Sequence, residues 1–214
     1  MTTGNNGPAA PEPAVKPVEP EVLFVPIPLD KAATIVSTKG MFYAEAAVAE
    51  RLILKDWNPR EINGVPFAFV DPLGDKRKNV ILLHADNGTL PPTMPKSVML
   101  PCNTPAKAIH LLSGVSGWGA TSGAKDGTVS MIVRFHYDDG NTEDRELKNG
   151  VHFADYIRRV DVSGSTHALE MQGKQQMRYL SVSPARKNSI TSIELVKGSN
   201  RTAPIVMAVT IETP

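Results

Sequence analysis

The stretch "TVSMIVRFHYDDGNTEDREL", Thr128 to Leu147, decides the fold. Val129, Met131, Val133, Phe135 and Tyr137 take alternate positions, while Ser130, Ile132, Arg134 and His136 take the others. A period of two belongs to a β-strand with one core face and one mixed face. The following "DDGN", Asp138 to Asn141, is a hairpin signal, because glycine after aspartate accepts a positive φ without a Cβ clash. "TEDREL" then reads as the returning strand, its alternating acidic and basic side chains forming a solvated face rather than a carboxylate pair for acid/base chemistry.

Outward from this hairpin the same pattern recurs. Short apolar runs stand between turn residues: "GVPFAFV", "NVILLH", "KSVMLP", "KAIHLLSGV", "HALEMQ", "QMRYLSVS", "ITSIELVKG" and "PIVMAVTIET". Such spacing is the sign of an all-β sandwich or barrel rather than an alternating α/β fold. The expectation is an all-β jelly-roll β-sandwich of about ten strands. "VLFVPIPL" adds an edge or irregular piece, since Pro26 and Pro28 remove ladder donors. "MFYAEAAVAERLIL", Met41 to Leu54, holds no glycine or proline and is rich in alanine, glutamate and leucine, which predicts one short helix over an edge or end of the sheet. "MTTGNNGPAAPEPAVKPVEP" carries five prolines in twenty positions. It reads as a solvated, disordered linker over residues 1–21, leaving 22–214 as the β-sandwich domain.

Composition narrows the partners. Twenty-three Lys and Arg against 22 Asp and Glu give a net charge of +1, which supplies no basic field for a nucleic-acid backbone. The lone Cys102 has no second cysteine for a disulfide, zinc or redox site and reads as a small apolar residue near a strand end. No run approaches the ~20 apolar residues of a membrane-spanning helix, and the first twenty residues lack the order of a signal peptide. The linker-like start suggests a module of a longer polypeptide with its export signal upstream.

Chemistry-bearing motifs are scarce. There is no GxSxG elbow, HExxH, P-loop lysine motif or EF-hand loop. The glycines of "GVSGWGATSGAKDG" lack the βαβ unit of a dinucleotide site. No pair among His84, His110 and His136 has the spacing that puts two imidazoles on one metal. A glycosidase, whose two carboxylates leave no local motif, asks for more assumptions than a module without activity. What remains is the connection "KNGVHFADYIRRVDV", with an aromatic pair, a histidine, an aspartate and two arginines where binding groups sit on a β scaffold. Trp118, in its glycine-lined loop, is the better placed of two tryptophans to stack on a sugar; Trp57 reads more as core.

"NGVPFAFVDP", "NVILLH", "MPKSVMLP", "AKAIHLLSGVSGWG", "VRFHYDDGNTEDREL", "KNGVHFADYIRRVDV" and "SIELVKGSNRTAPIVMAVTIET", taken in order over Asn63 to Thr213, resemble a β-sandwich module of large secreted or membrane-attached planctomycete proteins. That module is found beside c-type haem or dehydrogenase-like domains. The order also looks like the galactose-binding-like jelly rolls, some of which are carbohydrate-binding modules. The resemblance implies a non-catalytic accessory domain, extracellular or periplasmic with its parent protein. It implies no cofactor, although jelly-roll modules use structural calcium and "DWNPRE" or "HADNGT" could donate oxygens without a spacing that demands a metal. Two readings follow. In one, Trp118, His152, Asp155, Tyr156 and Arg158 hold a glycan by ring stacking and bidentate hydrogen bonds. In the other, the same loop ties its own sandwich together in a structural or protein-interaction module: Asp155 pairs with an arginine, and Phe153 and Tyr156 fill the end of the core.

Overall fold

A computed structural model describes residues 1, 23–117 and 124–214. Apart from Met1, the expected linker over 1–21 lies outside the described residues, and so does Trp118. The described residues hold twelve strands: β1 (Phe24–Ile27), β2 (Arg60–Ile62), β3 (Val65–Phe67), β4 (Ile81–Leu82), β5 (Ser97–Thr104), β6 (Ala108–Ser116), β7 (Val129–Tyr137), β8 (Thr142–Lys148), β9 (Thr166–Glu170), β10 (Gln176–Val182), β11 (Ile190–Lys197) and β12 (Ala203–Glu212). The fold is all-β and sandwich-like. A six-stranded sheet runs β1-β12-β6-β10-β9 with β4 also on β12, a four-stranded sheet runs β5-β11-β7-β8, and β2-β3 form a hairpin. The strand pairs are antiparallel.

The alternation of β7 sets the main core. Met131, Val133, Phe135 and Tyr137 meet Leu100, Ile193 and Leu195 of their own sheet and Ile109, Leu111, Leu180 and Val209 of the facing one. At the hairpin, Gly140 has φ +81° and the Tyr137 amide donates to the Asn141 carbonyl at 2.9 Å. β8 then returns at the sheet edge, where its charged side chains discourage pairing with another chain.

The larger sheet is covered on both faces, which explains the near-continuous apolar runs of β6 and β12. Its second face packs Leu112, Met177, Ile205 and Met207 against the β2-β3 hairpin and the segment Met41 to Leu54. A register shift between Val206 and Ala208 turns Met207 and Ala208 to the same side, as a β-bulge does.

That segment is not the expected helix. One 3-10 turn, Val48–Glu50, is its only helical element. Glu50 turns inward and its carboxylate accepts the amides of Phe42 at 2.7 Å and Tyr43 at 3.1 Å. Beyond the turn the chain is extended: Leu52 and Leu54 are buried on either side of a less buried Ile53, and the Leu52 amide donates to the Ser37 carbonyl. Burial of Met41, Leu52 and Leu54 against the second face of the sheet overrides the helical propensity of the alanines.

Candidate functional site

The loop after β8 begins as a tight turn. The Lys148 carbonyl accepts from the amides of His152 and Phe153, and Gly150 donates to the Phe153 carbonyl at 2.9 Å. The chain then passes the end of β6 in a short parallel bridge: Val115 donates to Ala154, and Tyr156 donates to Val115, each at 3.1 Å. The passage carries one aromatic ring into each core. Phe153 is fully buried between the sheets, and Tyr156 is fully buried in the second core. Gly114 of β6 makes this possible, since a Cβ there would lie 3.1 Å from the Tyr156 Cβ and 3.2 Å from the Met177 Cε.

Each residue expected from the sequence has a definite place. His152 accepts the Lys148 amide on Nδ1 at 2.9 Å, which fixes the tautomer with its proton on Nε2 when neutral. Burial, helped by the nearby Lys148 charge, holds its pKa below the usual histidine value. Asp155 is buried, with Oδ1 accepting the Ile157 amide at 3.2 Å and Oδ2 3.2 Å from Arg158 Nε. Burial pushes its carboxyl above the ordinary range despite those partners. The Tyr156 hydroxyl donates to the Glu50 carbonyl at 2.9 Å, and burial raises its pKa. Arg158 lies mostly in solvent beside Asp155. Trp118 belongs to the undescribed stretch; of the other four, Asp155 and Arg158 pair with each other, whereas His152 and Tyr156 turn to Lys148 and Glu50.

Two residues of β10 that the sequence reading passed over hold the rest of the loop. Gln176 Nε2 donates to the Asp155 carbonyl at 2.8 Å and its backbone amide to Tyr156. Arg178, 2% exposed, donates from Nε to the Ser165 hydroxyl at 2.8 Å and from Nη1 to the Val160 carbonyl at 2.9 Å and Asp161 at 3.0 Å. Nη1 also donates to Gln176 Oε1 at 3.4 Å, and Nη2 to the Val162 and Ser165 carbonyls. A lone guanidinium inside the apolar run "QMRYLSVS" was the available signal, because a buried cation must be matched by acceptors.

A shallow cleft of about 130 Å³ opens beside the loop, lined by Phe42, Tyr43, Glu50, Ser116, Asp155 and Ile157. Tyr43 is 66% exposed and stands edge-on to Phe42, with ring centroids 4.6 Å apart. The volume is below the roughly 300 to 1,000 Å³ of drug-sized ligand sites, and fits one small polar group. No family of known proteins, no curated protein and no solved structure matches this chain.

Three further histidines are also engaged. His110 bridges the Tyr179 hydroxyl at 2.8 Å and Glu212 at 3.0 Å, His136 meets Glu194 at 3.1 Å, and His84 meets Asp86 at 3.2 Å. Trp57 is partly buried against the second core. Among the described residues no three histidine, cysteine, aspartate or glutamate side chains gather to hold a metal ion, and no helix is long and apolar enough to cross a membrane.

Proposed function

We propose that the chain is a non-catalytic β-sandwich module of a larger exported protein, with a structural and protein-interaction role. The observation that carries this reading is the internal use of the loop. His152 Nδ1, the Asp155 carboxylate and the Tyr156 hydroxyl bond to Lys148, to Ile157 and Arg158, and to Glu50 of the same chain. The non-catalytic part of the reading is supported by the cleft: of its two carboxylates, Glu50 accepts the amides of Phe42 and Tyr43 and so holds its own segment. The jelly-roll arrangement is supported by a chain that crosses repeatedly between sheets, β5 and β7 lying in the smaller, β6, β10 and β12 in the larger. Export and attachment to a parent protein rest on the resemblance of the loop and strand stretches to accessory modules.

A second reading, recognition of a single sugar unit, is favoured by the exposed Tyr43 ring beside Asp155 in the cleft. Two measurements separate the two. A glycan-binding screen on the intact chain gives no hit under the interaction reading. Tyr156→Phe, which leaves the Glu50 carbonyl buried without its donor, then costs about 1–2 kcal/mol of unfolding free energy. A glycan hit abolished by Tyr43→Ala, with unchanged stability, establishes the sugar reading instead.

A further inference from the structure

Among the described residues β5 is one of the two edges of the four-stranded sheet, opposite β8. The Lys197 amide donates to the Lys96 carbonyl at 2.8 Å, so in an antiparallel ladder residues 96, 98 and 100 bond toward β11 and residues 97, 99 and 101 turn outward. Pro101 fits this phase, since proline occupies edge positions where no donor is required of it. Ser97 and Met99 therefore present their N–H and C=O groups away from the sheet. Among the described residues no backbone hydrogen bond outside the sheet ladder meets either of them, and Met99 is 51% exposed.

That edge faces a trench. A cavity of about 460 Å³ separates Ser97 to Met99 from the segment Lys31 to Thr34, and Lys78 and Met94 close its sides. It shares Lys31, Ala32 and Met99 with a cavity of about 340 Å³ that continues to Pro101, and Thr34, Lys78, Thr93 and Met94 with one of about 290 Å³ that continues to Gly40. The charged side chains of the central part are Lys31 and Lys78, both exposed, and neither forms an ion pair among the described residues. The acids at the two ends are neutralised within the chain: Asp30 lies 3.9 Å from Arg77, and Glu45 lies 3.0 Å from Lys39.

From these features we infer that the trench docks an extended acidic polypeptide segment of a partner protein, which adds a strand to β5. This rests on the interaction reading above and gives it a surface and a partner chemistry. The outward groups from Ser97 to Pro101 span about 13 Å at strand spacing, and supply the alternating donors and acceptors that a peptide backbone matches. Lys31 and Lys78 add attraction for carboxylates and set the sign of the partner. A sulfated polysaccharide would use the two lysines and leave the strand edge unused.

The test is fluorescence anisotropy of the full chain with a labelled twelve-residue peptide alternating threonine or valine with glutamate. The expected result is salt-sensitive micromolar binding, weakened about tenfold or more by the double change Lys31→Glu and Lys78→Glu. Met99→Pro keeps both lysines and removes one outward amide, and is expected to weaken binding comparably; N-methylation of alternate peptide amides does the same. Circular dichroism confirms that both variants fold. No binding, equal binding of the N-methylated peptide, insensitivity to Met99→Pro, or preference for a sulfated polysaccharide overturns the inference. Because Tyr156→Phe and the glycan screen do not involve the trench, either can fail or succeed independently of this result.

Discussion

Arg178 and Ser165 meet through two bonds, guanidinium Nε to the hydroxyl at 2.8 Å and Nη2 to the carbonyl of the same residue. The pairing joins the middle of β10 to the far end of the loop that begins at Lys148, and the same guanidinium reaches the Val160 and Val162 carbonyls between them. Arg178→Met keeps the apolar stem but strands these buried carbonyls, so we expect a loss of about 3 kcal/mol or more in urea unfolding. Faster amide exchange should appear across residues 151–165 ahead of the sheets. Unchanged stability would mean that the loop is held by Gln176 and its own turns alone.

Glu50 supplies a second test, aimed at the segment whose propensity misleads. Its carboxylate accepts two backbone amides from within the protein, whereas Glu45 lies on the surface with Lys39. Glu50→Ala should therefore cost about 2 kcal/mol, and Glu45→Ala about 0.5 kcal/mol or less. Equal small effects, with a gain in helical circular dichroism, would restore the helix that the alanines suggest.

The strands were legible because their signal is local. Met131, Val133, Phe135 and Tyr137 each carry their own evidence of a buried face, and Asp139-Gly140 marks the turn without reference to anything distant. The segment Met41 to Leu54 was misread because what decides it is remote: Tyr156 reaches Glu50 across 106 positions and Gln172 reaches the carbonyl of Leu54 across 118. Parts of the candidate loop were legible, since Asp155 does pair with an arginine and Phe153 and Tyr156 do enter the cores. Its clamp was not, because Gln176 and Arg178 lie on a strand whose partners are set by topology. Asp139 shows the same limit. The hairpin reading gives it no partner, yet its carboxylate pairs with Arg186, 47 positions away, and that guanidinium also lies 4.5 Å from the Tyr137 ring centroid.

Asp139 yields a prediction free of any stability assay. Its bonds to Arg186, and then to the Asn141 amide, hold its carboxyl at about 2. NMR titration of the side-chain carboxyl should find that low value, and Arg186→Ala should return it most of the way toward an ordinary aspartate. Because the pair is exposed, 1 M salt should also raise it toward the ordinary value. A normal titration in the unaltered chain would show that Arg186 is not engaged in solution.

The last prediction concerns pH and separates histidines from carboxylates. Burial holds His152, and His110 despite the opposing pull of Glu212, below the free histidine value of 6.5. As pH falls through 6.5 the unfolded chain takes up these protons before the folded one does. Stability is therefore complete above 6.5 and declines on acidification until the depressed folded values are reached. The carboxylates held low by their partners, among them Asp144 and Glu212, lose their contribution only further down, below the ordinary 3.8 and 4.5 of free aspartate and glutamate. Asp155, raised by burial, works in the opposite direction and above 3.8, where the folded chain takes up its proton before the unfolded one does. The histidine contribution to unfolding free energy should thus fall as pH drops through 6.5, before Asp144 and Glu212 titrate. His152→Asn keeps an acceptor for the Lys148 amide and removes the titrating group. It should flatten this part of the profile while changing stability at pH 8 by about 1 kcal/mol or less. A wild-type profile that is flat or rising on acidification from pH 7 to pH 5 contradicts the buried, neutral state of both rings. An unaltered slope in His152→Asn assigns the loss to His110 and its bridge between Tyr179 and Glu212.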